Sequence, residues 1–207
     1  MSVPKLLRMD SGHVQTPCHP KPYLVVGYSP VQRIYSEGDR AGAVYRVVSG
    51  TVRVCTILSD GRRQVVSFHL KGEFFGYETM PTHRFFAEAV GAATVTKSAL
   101  ESKAVDTATI LRTVTDELLR AQAHVVTLGR RDAREKVALF LMDLANRSGD
   151  GHLELPMIRS DIADHLGLTL ETVSRVFADM KKRGMIGIHS ARDIQILKPD
   201  VLKGWCG

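Results

Sequence analysis

The twenty residues from Arg159 to Ala178, RSDIADHLGLTLETVSRVFA, constrain this chain more than any other stretch. Apolar side chains fall at Ile162, Leu166, Leu168, Val173, Val176 and Phe177, and the small Ala163 stands four residues before Gly167. Two short helices joined by a tight turn account for all of these at once. Ala163 lets the helices cross closely, Gly167 takes the positive φ of the turn, and Ile162, Leu166, Val173 and Val176 form a wedge buried between them. Thr169 stands as N-cap of the second helix, with Glu171 and Thr172 in its first turn. A chance pair of helices meets two or three of these conditions rather than all.

The flanks extend the pattern on both sides. After Gly184, MIGIHSARDIQILKP gives two alternating runs around His189–Asp193, a hairpin or wing following the second helix. Upstream, residues 130–147 read as a helix with Val137, Phe140, Leu141 and Leu144 on one face, ended by Ser148, Gly149, Asp150 and Gly151. Before it, Leu111, Val114, Leu118, Ala121, Val125 and Leu128 alternate in steps of three and four, as heptad a and d positions do. A helix of about 25 residues is about 38 Å long, too long for one small sheet to cover. The simplest partner for that seam is an identical helix, and the alternative is the chain's own sheet.

Residues 25 to about 100 change period again. In VYRVVSGTVRVCTIL apolar and polar residues alternate at period two, as in a half-buried strand. Turn signals recur at Glu37-Gly38-Asp39, Ser49-Gly50, Ser59-Asp60-Gly61-Arg62 and Lys71-Gly72-Glu73, which predicts short antiparallel strands in a sandwich or barrel. The expected architecture is therefore α+β: a loosely held tail over 1–24, an antiparallel β-roll over 25–104, a dimerisation helix over 105–131, and a winged helix-turn-helix over 132–207.

Composition decides little by itself. The formal net charge of +6 invites a nucleic-acid partner, yet residues 1–131 carry 17 Lys/Arg against 11 Asp/Glu while 132–207 carry 11 of each. The helix-turn-helix lies in the neutral part, so a local patch such as Lys181, Lys182 and Arg183 has to supply the attraction to phosphate. Cys18, Cys55 and Cys206 are too few and too scattered for a disulfide framework, and Cys206 reads as an exposed thiol or an inert tail residue. Without a secretory leader or an apolar run of about 18–20 residues, a cytoplasmic protein with no membrane partner is expected. No Ser/His/Asp spacing, phosphate-cradling glycine loop or metal-binding His/Cys cluster points to an enzyme.

If the second helix reads DNA, its exposed N-terminal face meets base edges in the major groove. Leu170, Glu171, Ser174 and Arg175 are the candidates. A carboxylate accepts from cytosine N4, a guanidinium donates twice to guanine O6 and N7, and a leucine can meet a thymine methyl. Glu171 and Arg175 lie four apart, so they also suit each other as a surface pair worth about 0.2–0.5 kcal/mol. Thr169, Thr172, Lys182 and Arg192 are candidates for the phosphate backbone, although the threonines also suit helix capping and Arg192 a solvated turn.

A β-roll, a long helix and a winged helix-turn-helix in that order resemble the CRP/FNR superfamily of bacterial transcription regulators, over roughly residues 25–203. The resemblance is carried by GTVRV (50–54), GEFFG (72–76) and LGLTLETVSR (166–175). The pattern Glu171-x-x-Ser174-Arg175 is similar to the FNR and FixK branch, most closely the FixK group of activators that respond to low oxygen. This implies a homodimer on a palindromic TTGAT…ATCAA-like site, a cyclic-nucleotide-binding-like jelly roll, and RNA polymerase as a further partner.

Departures from the family narrow the cofactors. The cyclic-AMP receptors hold ribose and phosphate with a Glu and an Arg-Ser pair, whereas here Tyr77 takes the Glu place and Phe85 follows Arg84. Cys18 and Cys55 cannot complete a four-cysteine iron–sulfur site. No cofactor or metal is expected. The alternative function is a small-molecule sensor, for a cyclic nucleotide or for haem on His69 or His83, with ligand-dependent DNA binding. A saturable change in Trp205 fluorescence on cyclic-nucleotide titration, coupled to DNA affinity, would favour that alternative; the expected result is no response. Family members also place Ser or Thr where Ile158 stands, so Ser160 must cap that helix or the cap is lost, at about 1 kcal/mol.

Overall fold

The computed structural model describes residues 23–99, 107–148, 152–190 and 193–206. The tail expected over 1–24 therefore falls outside the described residues, Cys18 included, except that β1 (Leu24–Tyr28) starts within it. Seven further strands complete the N-terminal part: β2 (Arg33–Tyr35), β3 (Ala43–Ser49), β4 (Val52–Ile57), β5 (Arg63–His69), β6 (Phe74–Phe75), β7 (Phe86–Ala89) and β8 (Ala93–Ala99). They form two antiparallel four-stranded sheets, ordered β1-β8-β3-β6 and β2-β7-β4-β5. Inner-face residues of both sheets, including Tyr35, Tyr45, Val47, Val52, Val54, Phe75 and Val95, make the core of the roll.

The run VYRVVSGTVRVCTIL turns at Gly50, as the Ser49-Gly50 signal predicts, but its halves β3 and β4 join different sheets instead of pairing with each other. Gly50 has φ +77°, and a Cβ there would lie 2.4 Å from the Ala92 carbonyl oxygen. Only glycine lets the backbones approach that closely. Four successive residues of β4, Val52 to Cys55, are buried, so this strand is covered on both faces rather than half-buried.

The cover on the outer face is the C-terminal part of the chain. α1 (Thr107–Gly129) leads through Arg130–Asp132 into α2 (Ala133–Ser148), β9 (His152–Glu154), α3 (Arg159–Leu166), α4 (Leu170–Lys182), the hairpin β10 (Ile186–Ile188) and β11 (Asp193–Ile196), and α5 (Pro199–Gly204). β10, β11 and β9 form a small antiparallel sheet, in which Ile186 pairs with Ile196 and Ile188 with Ile194. Val137, Phe140, Leu141 and Leu144 of α2 are buried as their spacing predicts. They belong to one continuous apolar cluster with Ile162, Leu166, Val173 and Phe177, and also with Cys55, Val65, Phe68 and Phe86 from the outer face of the roll.

Charged groups lie at the same junction. Asp161, on the first turn of α3, receives Arg53 Nη1 on one carboxylate oxygen at 2.7 Å and the Arg63 guanidinium on the other. Arg53 also donates to Glu88 at 2.8 Å, and Arg63 donates to Asp164 at 2.7 and 2.9 Å. Asp161 is 1% exposed and Arg53 4%, so these charges are withdrawn from water and hold one another.

Two histidines complete the junction. The rings of His124 on α1 and His165 on α3 stack with centroids 4.0 Å apart and an interplanar angle of 9°. His165 Nδ1 lies 3.0 Å from the Val65 carbonyl oxygen on β5. A carbonyl only accepts, so the ring carries its proton on Nδ1. Burial, then the neighbouring His124, pushes the His165 pKa from 6.5 down to about 3, and burial lowers that of His124 as well.

α1 itself is nearly bare. Its only buried residue is Thr127, and Leu111, Val114, Leu118, Ala121, Val125 and Leu128 are all exposed, Leu111 and Val125 by 67% and 68%. The sheet does not cover the seam, which removes that explanation for the heptad.

The histidine pair generates a pH prediction. An unfolded chain protonates His165 near 6.5 and the native chain only near 3, so its contribution to stability is complete above 6.5 and declines as pH falls toward 3. The unfolding free energy should drop by up to about 1.4 kcal/mol per pH unit for this residue within that window. In His165→Phe, which keeps a stacked ring but no titrating group, urea unfolding at stepped pH should show a slope shallower by one proton. An unchanged slope would show that His165 is not held neutral.

Candidate nucleic-acid interface

The turn between α3 and α4 is built as the residue pattern predicts. Gly167 adopts φ +63°, ψ 41° and closes α3 with a hydrogen bond from its N–H to the Ala163 carbonyl. Thr169 is extended, at φ −87° and ψ 154°, and its hydroxyl accepts from the Thr172 N–H at 3.2 Å, capping α4. Val173, Val176, Phe177 and Met180 bury one face of α4, while Ile162, Ala163 and Leu166 bury the facing side of α3. The expected wedge is thus complete. The cap of α3 is not: Ile158 occupies the N-cap with no side-chain hydrogen bond, and Ser160 lies inside the helix.

With one face of α4 committed to the core, the other is left to solvent. Leu170 is 47% exposed, Glu171 and Arg175 are exposed, and Ser174 is half-buried between the two faces. Positions 171, 175, 178 and 182 follow helical spacing down this side, ending at the exposed Lys182 beside the exposed Lys181. Among the described residues no ion pair joins Glu171 to Arg175, so the pair does not neutralise itself. The Glu171 carboxyl is held below its usual value by its own backbone N–H at the helix start and by the Thr169 hydroxyl. It is an anion at neutral pH, able to accept from an amino group. Arg183, the third member of the basic run, is tied to Asp179 at 3.0 Å. Arg192 lies outside the described residues.

The residues weighed for a cyclic nucleotide or haem lie in and around the roll. Phe85 packs against the inner core of the roll, and Arg84 is exposed with Glu78 3.9 Å away. Tyr77 is partly buried, and that burial pushes its hydroxyl up to about 12. His83 stacks on Tyr35 with centroids 3.8 Å apart, and the His69 ring meets the Ser67 hydroxyl at 2.9 Å. Both histidines are buried within the packing. Burial also pushes the Cys55 thiol up to about 12, which makes it an inert core residue.

Sequence reasoning missed the junction groups Arg53, Arg63, Glu88, Asp161 and Asp164. One signal was present, an arginine within the apolar run Val52-Arg53-Val54-Cys55, but period-two alternation assigns such a residue to solvent. Only the docking of α3 on that face reveals its burial.

Comparison with known proteins agrees with this architecture. Residues 25–106 match the cyclic nucleotide-binding domain family, and residues 135–205 match the Crp-like helix-turn-helix domain family. The nitrogen fixation regulation protein FixK of Rhizobium meliloti is 46% identical over 186 residues, 89% of this chain and 88% of that protein. The transcriptional activatory protein AadR of Rhodopseudomonas palustris is 38% identical over 79% of this chain and 73% of that protein. The solved structure of FixK2 from Bradyrhizobium japonicum superposes with a TM-score of 0.83 at 38% identity, covering 89% of this chain and 98% of that one. The chain therefore belongs to the CRP/FNR family of transcription regulators, among its FixK-like members.

Proposed function

We propose that this protein is a homodimeric transcription activator that reads a palindromic TTGAT…ATCAA-like site and switches on low-oxygen-response genes in the cytoplasm, in concert with RNA polymerase. Leu170, Glu171, Ser174 and Arg175 read bases, while Thr169, Thr172, Lys182 and Arg192 hold the phosphate backbone. The observation that carries this reading is the solvent-facing side of α4, where an anion, an exposed guanidinium and a bare leucine share the first turns of a firmly anchored helix. Activation is supported by the likeness to AadR, a transcriptional activatory protein, and the low-oxygen connection rests on the resemblance of Glu171-x-x-Ser174-Arg175 to the FixK group.

The division of labour follows the chain. Residues 25–104 form the roll, 105–131 the dimerisation helix and 132–207 the DNA-binding domain. Pairing through Leu111, Val114, Leu118, Ala121, Val125 and Leu128 would remove six exposed side chains from water. The two-fold axis of such a pair presents two α4 helices to successive major grooves, about 34 Å apart.

Two measurements test the reading. Arg175→Ala should weaken binding to the palindrome by about 1–3 kcal/mol and relax preference at one base pair per half-site in a mobility-shift series. Undiminished discrimination in that variant would remove Arg175 from the reading face. Leu118→Lys places two like charges in the proposed seam, and sedimentation should then report monomers where the parent chain is a dimer. A persistent dimer would place the interface elsewhere.

A further inference from the structure

The junction between roll and helix-turn-helix combines an apolar cluster with directional polar contacts: the ion cluster around Asp161, the His165 hydrogen bond to the Val65 carbonyl, and the Arg147 guanidinium on Glu73. The apolar cluster that joins Cys55, Val65 and Phe68 to Ile162 and Leu166 supplies adhesion, and adhesion of that kind is non-directional. The ion cluster is directional. Asp161 is clamped between two guanidiniums, one on β4 and one on β5, and Arg63 also donates from Nε and Nη2 to Asp164 one turn further along α3. Planar guanidinium–carboxylate contacts fix angle as well as distance. Replacing buried ion pairs by well-packed apolar groups is often neutral or stabilising, so stability alone does not account for the three buried charges Arg53, Glu88 and Asp161.

What the cluster does fix is orientation. The only covalent link from α1 to the C-terminal part is Arg130–Asp132, which sets where α2 begins. α3 is the helix that α4 packs against, and it is the element through which the ion cluster grips the roll. In a dimer with reading helices about 34 Å apart, any rotation at the link moves both helices relative to the grooves they must enter. A shift of about 3.4 Å is already one base step. A hinge held by apolar contact alone would blur the register.

We propose that Arg63, Asp164, Arg53 and Asp161 are positioning residues for DNA binding: they lock the helix-turn-helix to the roll and thereby set the half-site spacing the dimer accepts. The inference rests on the dimeric DNA-reading function proposed above. Arg63 and Asp164 are the useful pair to alter, because both are partly exposed, with side chains 26% and 32% accessible, while Arg53, Glu88 and Asp161 remain paired without them.

The test uses the full chain as Arg63→Gln, Asp164→Asn and the conservative Arg63→Lys. The probes are duplexes carrying two mirrored half-sites, chosen by selection from a random pool with the parent protein, at the selected spacing and at one and two base pairs longer and shorter. A duplex with a single half-site serves as reference. The parent should prefer its selected spacing over the neighbouring ones by about tenfold or more. Arg63→Gln and Asp164→Asn should flatten that profile to about threefold or less, with single half-site affinity changed by less than about twofold. Arg63→Lys, which keeps the charge but loses the fork, should fall between. Folded, dimeric variants that keep the parent's spacing profile would overturn the proposal. So would equal losses at every spacing and on the single half-site, which is the mark of a merely structural role, or unfolding of both variants. A parent that distinguishes no duplex from any other would instead overturn the DNA-reading function itself, before any variant is considered.

Discussion

The docking of α3 against the outer face of the roll is the contact on which the rest of the molecule depends. It converts β4 from an ordinary surface strand into a strand buried on both sides, and it merges the outer face of one sheet with the core of the helix-turn-helix. The same contact withdraws Arg53 and Asp161 from water, which is tolerable only because their partners arrive with fixed geometry. It also stacks His124 on His165, two rings that cannot both be charged at such a separation. Adhesion, charge pairing and the neutrality of the histidines are thus three aspects of one interface.

The recognition surface is, by contrast, locally determined. Gly167 and Thr169 set the turn, the apolar wedge fixes the crossing of α3 and α4, and the outward face of α4 follows from helical period alone. That is why it was legible in the sequence: every constraint lies within twenty consecutive residues. The bare seam of α1 was legible for a related reason, since a heptad states which side of a helix seeks a partner without naming it. The roll was readable as a set of short strands with glycine turns, but the assignment of β3 and β4 to different sheets was not, because Gly50 looks like any hairpin glycine until Ala92 is seen beside it.

What remained hidden was the meeting of segments far apart in the chain. Arg63 and Asp164 are separated by 101 positions, and no periodicity links them. His165 reads as one more polar residue on a short helix until His124 and the Val65 carbonyl close around it. The lost cap at Ile158 was visible, yet the sequence gives no hint that Asp161, the acidic residue of that first turn, is committed to the roll. Local chemistry is written in spacing, whereas long-range electrostatics appears only once the chain has folded back on itself.

The uncovered heptad of α1 has a consequence for how such a protein could be controlled. At concentrations where a self-associating chain is mostly single, the paired form grows with the square of the total, so doubling the copy number raises it about fourfold. In a chain that pairs through this seam, abundance is itself an input to the molecule. Synthesis and turnover would then act as the effector.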